Sequence, residues 1–433
     1  MKIAIIGAGI GGLTAAFDLI MKGHDVSIFE RESQPGGLAG GFKHERWDWS
    51  VEKYYHHWFW TDHAIMDLIN ELGLSEQVIF KKPKTVVYHQ GKFHPLDSAL
   101  SVLKFPGFSL IDKFRFGAIT AYLKYISGWK NLEKHTAVDW IKQYYGHDLY
   151  KIFFEPLLRG KFDQHFQDVN MAWMWARFKA RSAKLGTYRG GFQFFLNDFT
   201  DILKEKGVEI HFNTTISSIQ HEENNTLQLQ AQGTTWRNFD QVLVTLPPHI
   251  LNQIAPELPV DYFRETKKLK STGAVVVIFS LENQLSKEGY YWYNLPKSAD
   301  FPFLALVEHT NFVSDKHFNG DHIIYCGDYI NHNHAYFSYS DQELADCYLS
   351  VFGKINPNFS KDWVKQYWVH KTPFAQPIPV VNHSNNILDI TTPMDGVFLA
   401  SMSQIYPWDR GTNYAVAFAH RAVAAMLETP RNA

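Results

Sequence analysis

The chain is poor in cysteine, has no long apolar run and carries no excess of charge of either sign. Cys326 and Cys347 are the only cysteines in 433 residues, and they are not spaced as C-x-x-C. A disulfide framework and a cysteine zinc site are thereby excluded, and a reducing, cytoplasmic setting is expected. No stretch of roughly 18 or more apolar residues occurs, so no membrane-spanning helix is encoded. The first apolar run, Ile3 to Ile6, is too short for a signal peptide, and none is expected. Forty-two basic residues stand against 44 acidic ones, a formal net charge of −2, which gives no electrostatic case for nucleic acid. Internal repeats and low-complexity linkers are missing as well. The excess is aromatic: 33 Phe, 21 Tyr and 13 Trp, or 15% of the chain. Such residues build either large cores or a broad apolar substrate channel, and composition favours cores.

The first forty residues carry the strongest local signal. Lys2 to Ile6 reads as a buried parallel strand, Leu13 to Lys22 as a helix, and Val26 to Phe29 as a second strand ending at Glu30. Between strand and helix stands G-x-G-x-x-G at Gly7, Gly9 and Gly12. Gly7 permits a sharp turn, Gly9 lets a pyrophosphate approach the backbone, and Gly12 lets helix and strand pack closely. The helix start, with Ile10 and Gly11, offers free N–H groups to phosphate. Glu30 is suited to bind ribose hydroxyls and to repel a 2′-phosphate, which disfavours NADP. The motif in this context indicates a dinucleotide site but leaves FAD and NAD open.

Arg31 to Gly41 follows, with the doublet Gly36-Gly37 ahead of Leu38 and Ala39. Later, Gly190-Gly191 opens a helix from Gln193 to Lys206, a strand Gly207 to Phe212, and the run Asn213 to Ile219. Asp240 to Pro248 reads as a strand ended by prolines. Near the end comes a strand from Gly396 to Ser401, a loop, and a helix opened by Asp409-Arg410-Gly411-Thr412-Asn413-Tyr414-Ala415. These segments resemble the large FAD family of amine oxidases, protoporphyrinogen oxidase, phytoene-type desaturases and UDP-galactopyranose mutase. The resemblance covers about residues 1–60, 186–250 and 395–425. It implies FAD as cofactor, held by Gly7, Gly9, Ile10, Gly11, Gly12, Glu30, Arg31, Gly36, Gly37, Leu38 and Ala39. It adds Ile216 through its backbone at the adenine, and Asp409, Arg410, Gly411, Thr412, Asn413 and Ala415 at the flavin. The chain departs from the family pattern at Leu38, where many members carry Arg, and at Ala400-Ser401, where many carry a glycine–acid pair.

The intervening chain reads differently. His44 to Asp62 is dense in aromatics and contains His56-His57; in the resembling family this segment runs toward the flavin ring. No further ligands follow at zinc spacing, so no metal is expected. Ala64 to Leu74 reads as a short amphipathic helix, and Val86 to Phe93 as a hairpin turning near Gly91. Asp97 to Trp129 reads as an aromatic, apolar helical stretch with Lys104, Lys113, Arg115 and Lys124. A substrate-capping helix with snorkelling lysines is favoured there over a helix lying on a membrane surface, although peripheral membrane contact stays open. Glu155 to Gly160 reads as a break. Strands are predicted from Thr272 to Leu281, Gly289 to Tyr293, Phe303 to Thr310, Asp321 to Gly327 and Trp363 to Val369, with Pro373 to Pro379 as an extended connector.

The expected architecture is α/β: a Rossmann-type FAD-binding domain (1–80, 186–265 and 390–433) with an inserted α+β substrate domain of mixed sheet and helical cap (81–185 and 266–389). The expected function is FAD-dependent oxidation, by hydride abstraction, of an apolar or aromatic small molecule. Candidate catalytic groups are His56, His57 and Tyr406, with Trp408 nearby. A non-redox mutase of the UDP-galactopyranose type is the alternative, for which Arg159, Arg177, Arg181 and Arg189 are available. A flavin-less binding protein of the same fold is the third reading, opposed by the intact glycines. The oligomeric state cannot be read from these patterns.

Overall fold

The computed structural model describes residues 1–429; the last four residues of the expected 390–433 segment lie outside the described residues. Lys2–Ile6 is the middle of a five-stranded parallel sheet, in the order Glu209–His211, Asp25–Phe29, Lys2–Ile6, Gln241–Val244, Val397–Leu399. Side chains alternate across a strand, so an all-apolar strand must be covered on both faces. Ile3, Ile5, Val26, Ile28 and Leu243 pack into a core with the helices Ile10–Met21, Phe192–Glu205 and Thr412–Glu428. Ala4, Ile6, Phe29, Val242 and Val244 pack on the opposite side with residues of an antiparallel layer, Ser218–His221, Leu227–Ala231 and Thr234–Phe239. The chain leaves the parallel sheet after Phe29 and again after Val244, and each time returns to it.

Much of what it builds on those excursions is a seven-stranded sheet. Its order is Val364–Pro377, Ser271–Leu281, His322–Ile330, Ala305–Glu308, Tyr290–Asn294, Lys84–His89, Lys92–Pro95. Neighbours are antiparallel except Tyr290–Asn294 beside Lys84–His89. Val275, Val277 and Phe279 face a core with Leu344, Tyr348 and Phe352, from the helix Asp341–Leu349 and the turn after it. Val276 and Ile278 face the opposite way, toward Trp47, Tyr291, Val307 and Tyr325. A helical cap, including Leu110–Ala121, Ala137–Tyr144, Glu155–Phe162 and Met171–Ala180, closes over its own aromatic core. Trp47, Trp58, Trp173, Tyr145 and Tyr291 are fully buried, so much of the aromatic excess is core.

Two expectations are corrected. Glu155 to Gly160 is not a break but the start of the helix Glu155–Phe162. Pro156 sits in the first turn, where its missing N–H is not needed for the helix ladder. Pro373 to Pro377 is not a connector but the end of the strand Val364–Pro377. That strand lies at the sheet edge, and its pairing with Ser271–Leu281 shifts register between Thr272 and Ala274, which accommodates a residue that cannot donate to the ladder.

Candidate active site

The opening glycines form a cradle. Gly7 adopts φ +109°, and a Cβ there would lie 2.5 Å from Thr245 Oγ1. A Cβ on Gly12 would lie 2.0 Å from the Gly7 carbonyl oxygen. Gly9 is different: a Cβ there would meet nothing within 4 Å, so its missing side chain leaves open space at the helix start. The Gly36–Gly37 loop lies directly against this point. The Gly36 N–H donates to the Ala8 carbonyl at 2.9 Å, and Gly36 bridges Gly9. Glu30 is held at the end of its strand by the N–H groups of Ala8, at 2.7 Å, and Glu32, at 2.9 Å. The helices Ile10–Met21 and Thr412–Glu428 both begin at glycine caps, Gly9 and Gly411, with no side chain bonded to the first-turn N–H groups. Open space, free N–H groups and a carboxylate just beyond the second strand fit a dinucleotide.

A cavity lies beside this cradle. One wall is Leu38, Tyr54, Tyr55 and His56; the other is the inner face of the seven-stranded sheet, with Ala274, Val276, Trp292, Val307 and Tyr325. Lys161, Tyr329 and Arg410 line it too. Arg410 Nη2 donates to the Tyr329 hydroxyl, and Arg410 Nε donates to Gln376 Oε1 at 3.1 Å. Lys161 Nζ sits 3.9 Å above the Tyr329 ring. Behind them Asp409 accepts from Arg177 at 3.0 Å, from Trp173 Nε1 at 3.2 Å and from Gln376 at 3.2 Å.

This cluster shifts the protonation of its members. Burial alone would raise the Asp409 carboxyl, but Arg177, Lys161 and Arg410 outweigh it and hold it at about 2. Burial lowers the Lys161 ammonium to about 8. Burial would raise the Tyr329 phenol, yet Arg410 and Lys161 bring it down to about 8. His56 is lowered to about 4 by burial and Arg410, and His57 to about 3 by burial and Arg181. Both imidazoles are therefore neutral at pH 7. His56 Nδ1–H donates to the Tyr54 carbonyl, which leaves Nε2 as an acceptor.

The expected residues are not all brought together. His56, Leu38 and Arg410 line the cavity. His57 is half-buried next to it, its ring 5.0 Å from Phe59 and 6.3 Å from Trp292. Tyr406 is held elsewhere: its hydroxyl donates to Glu133 at 3.0 Å and accepts from Asn170 at 3.0 Å. With Trp408 it lines a separate groove that also holds Lys179, Tyr414 and Phe418. Asp409 and Arg410 precede the last helix, which begins at Thr412. Thr412 Oγ1 accepts from Trp58 Nε1 at 3.0 Å and Asn413 Oδ1 from the Ile65 N–H at 3.1 Å, so both side chains dock the helix. Ala415 approaches Gly11, and Ile216 and Ala39 turn their side chains into the cores. Arg31 is largely exposed and paired with Glu32 at 3.0 Å. Of the four arginines considered for a sugar nucleotide, only Arg177 bonds into the basic cluster, through Asp409; Arg181 is exposed with its guanidinium 5.9 Å from the Phe59 ring centroid, Arg159 pairs with Glu155 at the surface and Arg189 is exposed. Lys161 and Tyr329 escaped the sequence reading. Lys161 follows the stretch taken for a break, and Tyr329 lies beyond the predicted end of its strand.

The cradle and the cavity beside it set a dinucleotide-binding site against an apolar pocket with a basic end. Residues 10–427 match the flavin containing amine oxidoreductase family, and the chain belongs to it; FAD is its cofactor. A zeta-carotene desaturase of Solanum lycopersicum is 32% identical over 98 residues, which are 22% of this chain and only 16% of that protein. A 15-cis-phytoene desaturase of the same plant is 22% identical over 418 residues, 86% of this chain and 68% of that one. The crystal structure of reduced UDP-galactopyranose mutase shares the fold, with a TM-score of 0.76 over 98% of this chain and 95% of that one at 14% identity. Among the described residues no helix is long and apolar enough to cross a membrane.

Proposed function

We propose that the enzyme oxidises a small molecule that has an apolar or aromatic body and an anionic or strongly polar end. One observation carries this reading: the cavity beside the glycine cradle has an apolar sheet face along its length and Lys161, Arg410 and Tyr329 on its wall. When bound, FAD supplies the hydride acceptor. The protein's contribution is to orient the substrate between His56 and Val276, to neutralise its polar end with Lys161 and Arg410, and to keep water out with Trp292 and Tyr325. In this reading the residues named above from Gly7 to Ala39, Ile216 through its backbone, and the Asp409–Ala415 segment serve FAD. Residues 1–80, 186–265 and 390–433 form its domain, and residues 81–185 and 266–389 form that of the substrate.

The test is anaerobic mixing of oxidised holoenzyme with a panel of porphyrinogens, polyenes and aryl or alkyl amines, with and without a carboxylate. Bleaching of the flavin absorbance by a carboxylate-bearing apolar compound, and not by its ester, is the expected result. Two cations on the cavity wall, Lys161 and Arg410, with Arg177 behind them on Asp409, also favour the mutase reading. If no compound bleaches the flavin and the dithionite-reduced enzyme converts UDP-galactopyranose, the oxidase reading fails and the mutase reading replaces it.

A further inference from the structure

The cap helix Leu110–Ala121, continued by the wide turn Tyr122–Ile126, is apolar on two opposite sides. Phe116, Ile119 and Leu123 recur at helical spacing and pack into the cap core. Ile111, Phe114 and Tyr125 recur at the same spacing on the other side and remain 70%, 79% and 74% exposed. A surface helix of a globular protein carries polar residues there. Leu100 and Leu103, on the preceding helix, extend the patch and are 58% and 56% exposed.

The segment that builds this patch carries more cations than acids. Residues 99–134 contain six cations, Lys104, Lys113, Arg115, Lys124, Lys130 and Lys134, and two acids, Asp112 and Glu133. Glu133 is turned inward and buried, bonded to Ser384 at 2.8 Å and Tyr406 at 3.0 Å. Asp112 caps its own helix through Ser109 at 2.6 Å. Lysine and arginine stems span several ångströms, so their charged ends reach a headgroup layer while large apolar side chains enter beneath it.

We propose that this face docks the enzyme on an anionic lipid surface. A second copy of the chain is a poorer occupant. In a two-fold contact the same patch meets itself, and the six cations of one copy would face those of the other. A bilayer bearing acidic headgroups opposes the cations with the complementary charge and receives the aromatic and aliphatic side chains. Docking here asks nothing of the chemistry in the cavity, so it stands or falls apart from the substrate assignment.

The experiment is co-sedimentation of holoenzyme with phosphatidylcholine vesicles, with and without phosphatidylglycerol. Phosphatidylglycerol is expected to raise the partition coefficient by at least about tenfold. The double variant I111S/F114S is expected to lower it by at least about tenfold, and K104E/K113E to remove the dependence on phosphatidylglycerol. All four residues lie outside the cavity and the glycine cradle, so an unchanged flavin spectrum and thermal transition verify folding. Absence of vesicle binding, binding without headgroup preference, or binding unaffected by I111S/F114S overturns the proposal. A dimer by analytical ultracentrifugation that I111S/F114S splits, with no vesicle binding, gives the face to a second copy and overturns it as well.

Discussion

Arg177 Nη1 donates to Asp409 Oδ2 at 3.0 Å, joining the helical cap to the loop that precedes the last helix across 232 residues of sequence. The Arg177 side chain is 8% exposed and that of Asp409 22%. Asp409 is also the acid that balances Lys161 and Arg410. Removing it leaves buried Arg177 and half-buried Lys161 and Arg410 unopposed, whereas removing Arg177 leaves Asp409 two remaining cations. D409N is therefore expected to cost about 3 kcal/mol and R177M clearly less. Urea denaturation of both variants checks the order; equal losses would contradict it.

Anion binding in the cavity should weaken as pH rises through about 8. Over that range Lys161 loses its proton and Tyr329 becomes negative, so the local charge falls on both counts. The negative phenolate supports the Lys161 ammonium, so Y329F should move the loss of binding to lower pH. Perturbation of the flavin spectrum by benzoate, titrated across pH, measures it.

Global stability has a pH dependence of its own. Burial pushes the Glu308 carboxyl up to about 8, although the N–H groups of Leu285 and Ser286 bond to it. Between its ordinary value near 4.5 and about 8 the unfolded chain has released this proton and the folded chain retains it. The unfolded state binds fewer protons there, so stability falls as pH rises through that window. E308Q keeps an acceptor for the two N–H groups and cannot ionise. Its unfolding free energy should decline less than that of the wild type between pH 5 and pH 8.

The two central glycines should fail differently. G9V places its side chain in the open space of the cradle and should fold, yet hold flavin at least about tenfold more weakly. G12A drives a Cβ to 2.0 Å from the Gly7 carbonyl and should cost about 1–3 kcal/mol or more before any flavin is considered. Flavin-to-protein ratios together with unfolding curves separate the two outcomes.

Y406F tests whether that hydroxyl is structural. Its loss leaves Glu133 and Asn170 each short of a partner, at a cost of about 1–3 kcal/mol. Turnover per bound flavin should be unchanged. A large fall in kcat with intact stability would return Tyr406 to the catalytic candidates.

The sequence by itself determined the local backbone of the cofactor half. Glycines at Gly7, Gly9, Gly12 and Gly36, an apolar run on either side and an acid at Glu30 specify strand, turn, helix and strand through short-range sterics, and these elements appeared nearly where they were expected. The same is true of Gly190–Gly191 and the helix after it. Boundaries failed where a proline was weighed by propensity alone: Pro156 is tolerated by its place in a first turn and Pro373 by its place at a sheet edge, and both places are set by tertiary packing. The basic end of the cavity was decided by the tertiary structure alone. Lys161 comes from a cap helix, Tyr329 from the end of a central strand and Arg410 from a loop 81 residues further on. Nothing local marks Lys161 or Tyr329, because their altered protonation arises from burial and neighbouring charge, which exist only once the three segments meet; Arg410 alone stands in a segment that the family resemblance singled out. The outward apolar stripe of Leu110–Ala121 was likewise invisible as such. A helix that is hydrophobic all round gives the same periodic signal whether it is enclosed or half exposed, and only its seating on the cap showed which side was left uncovered.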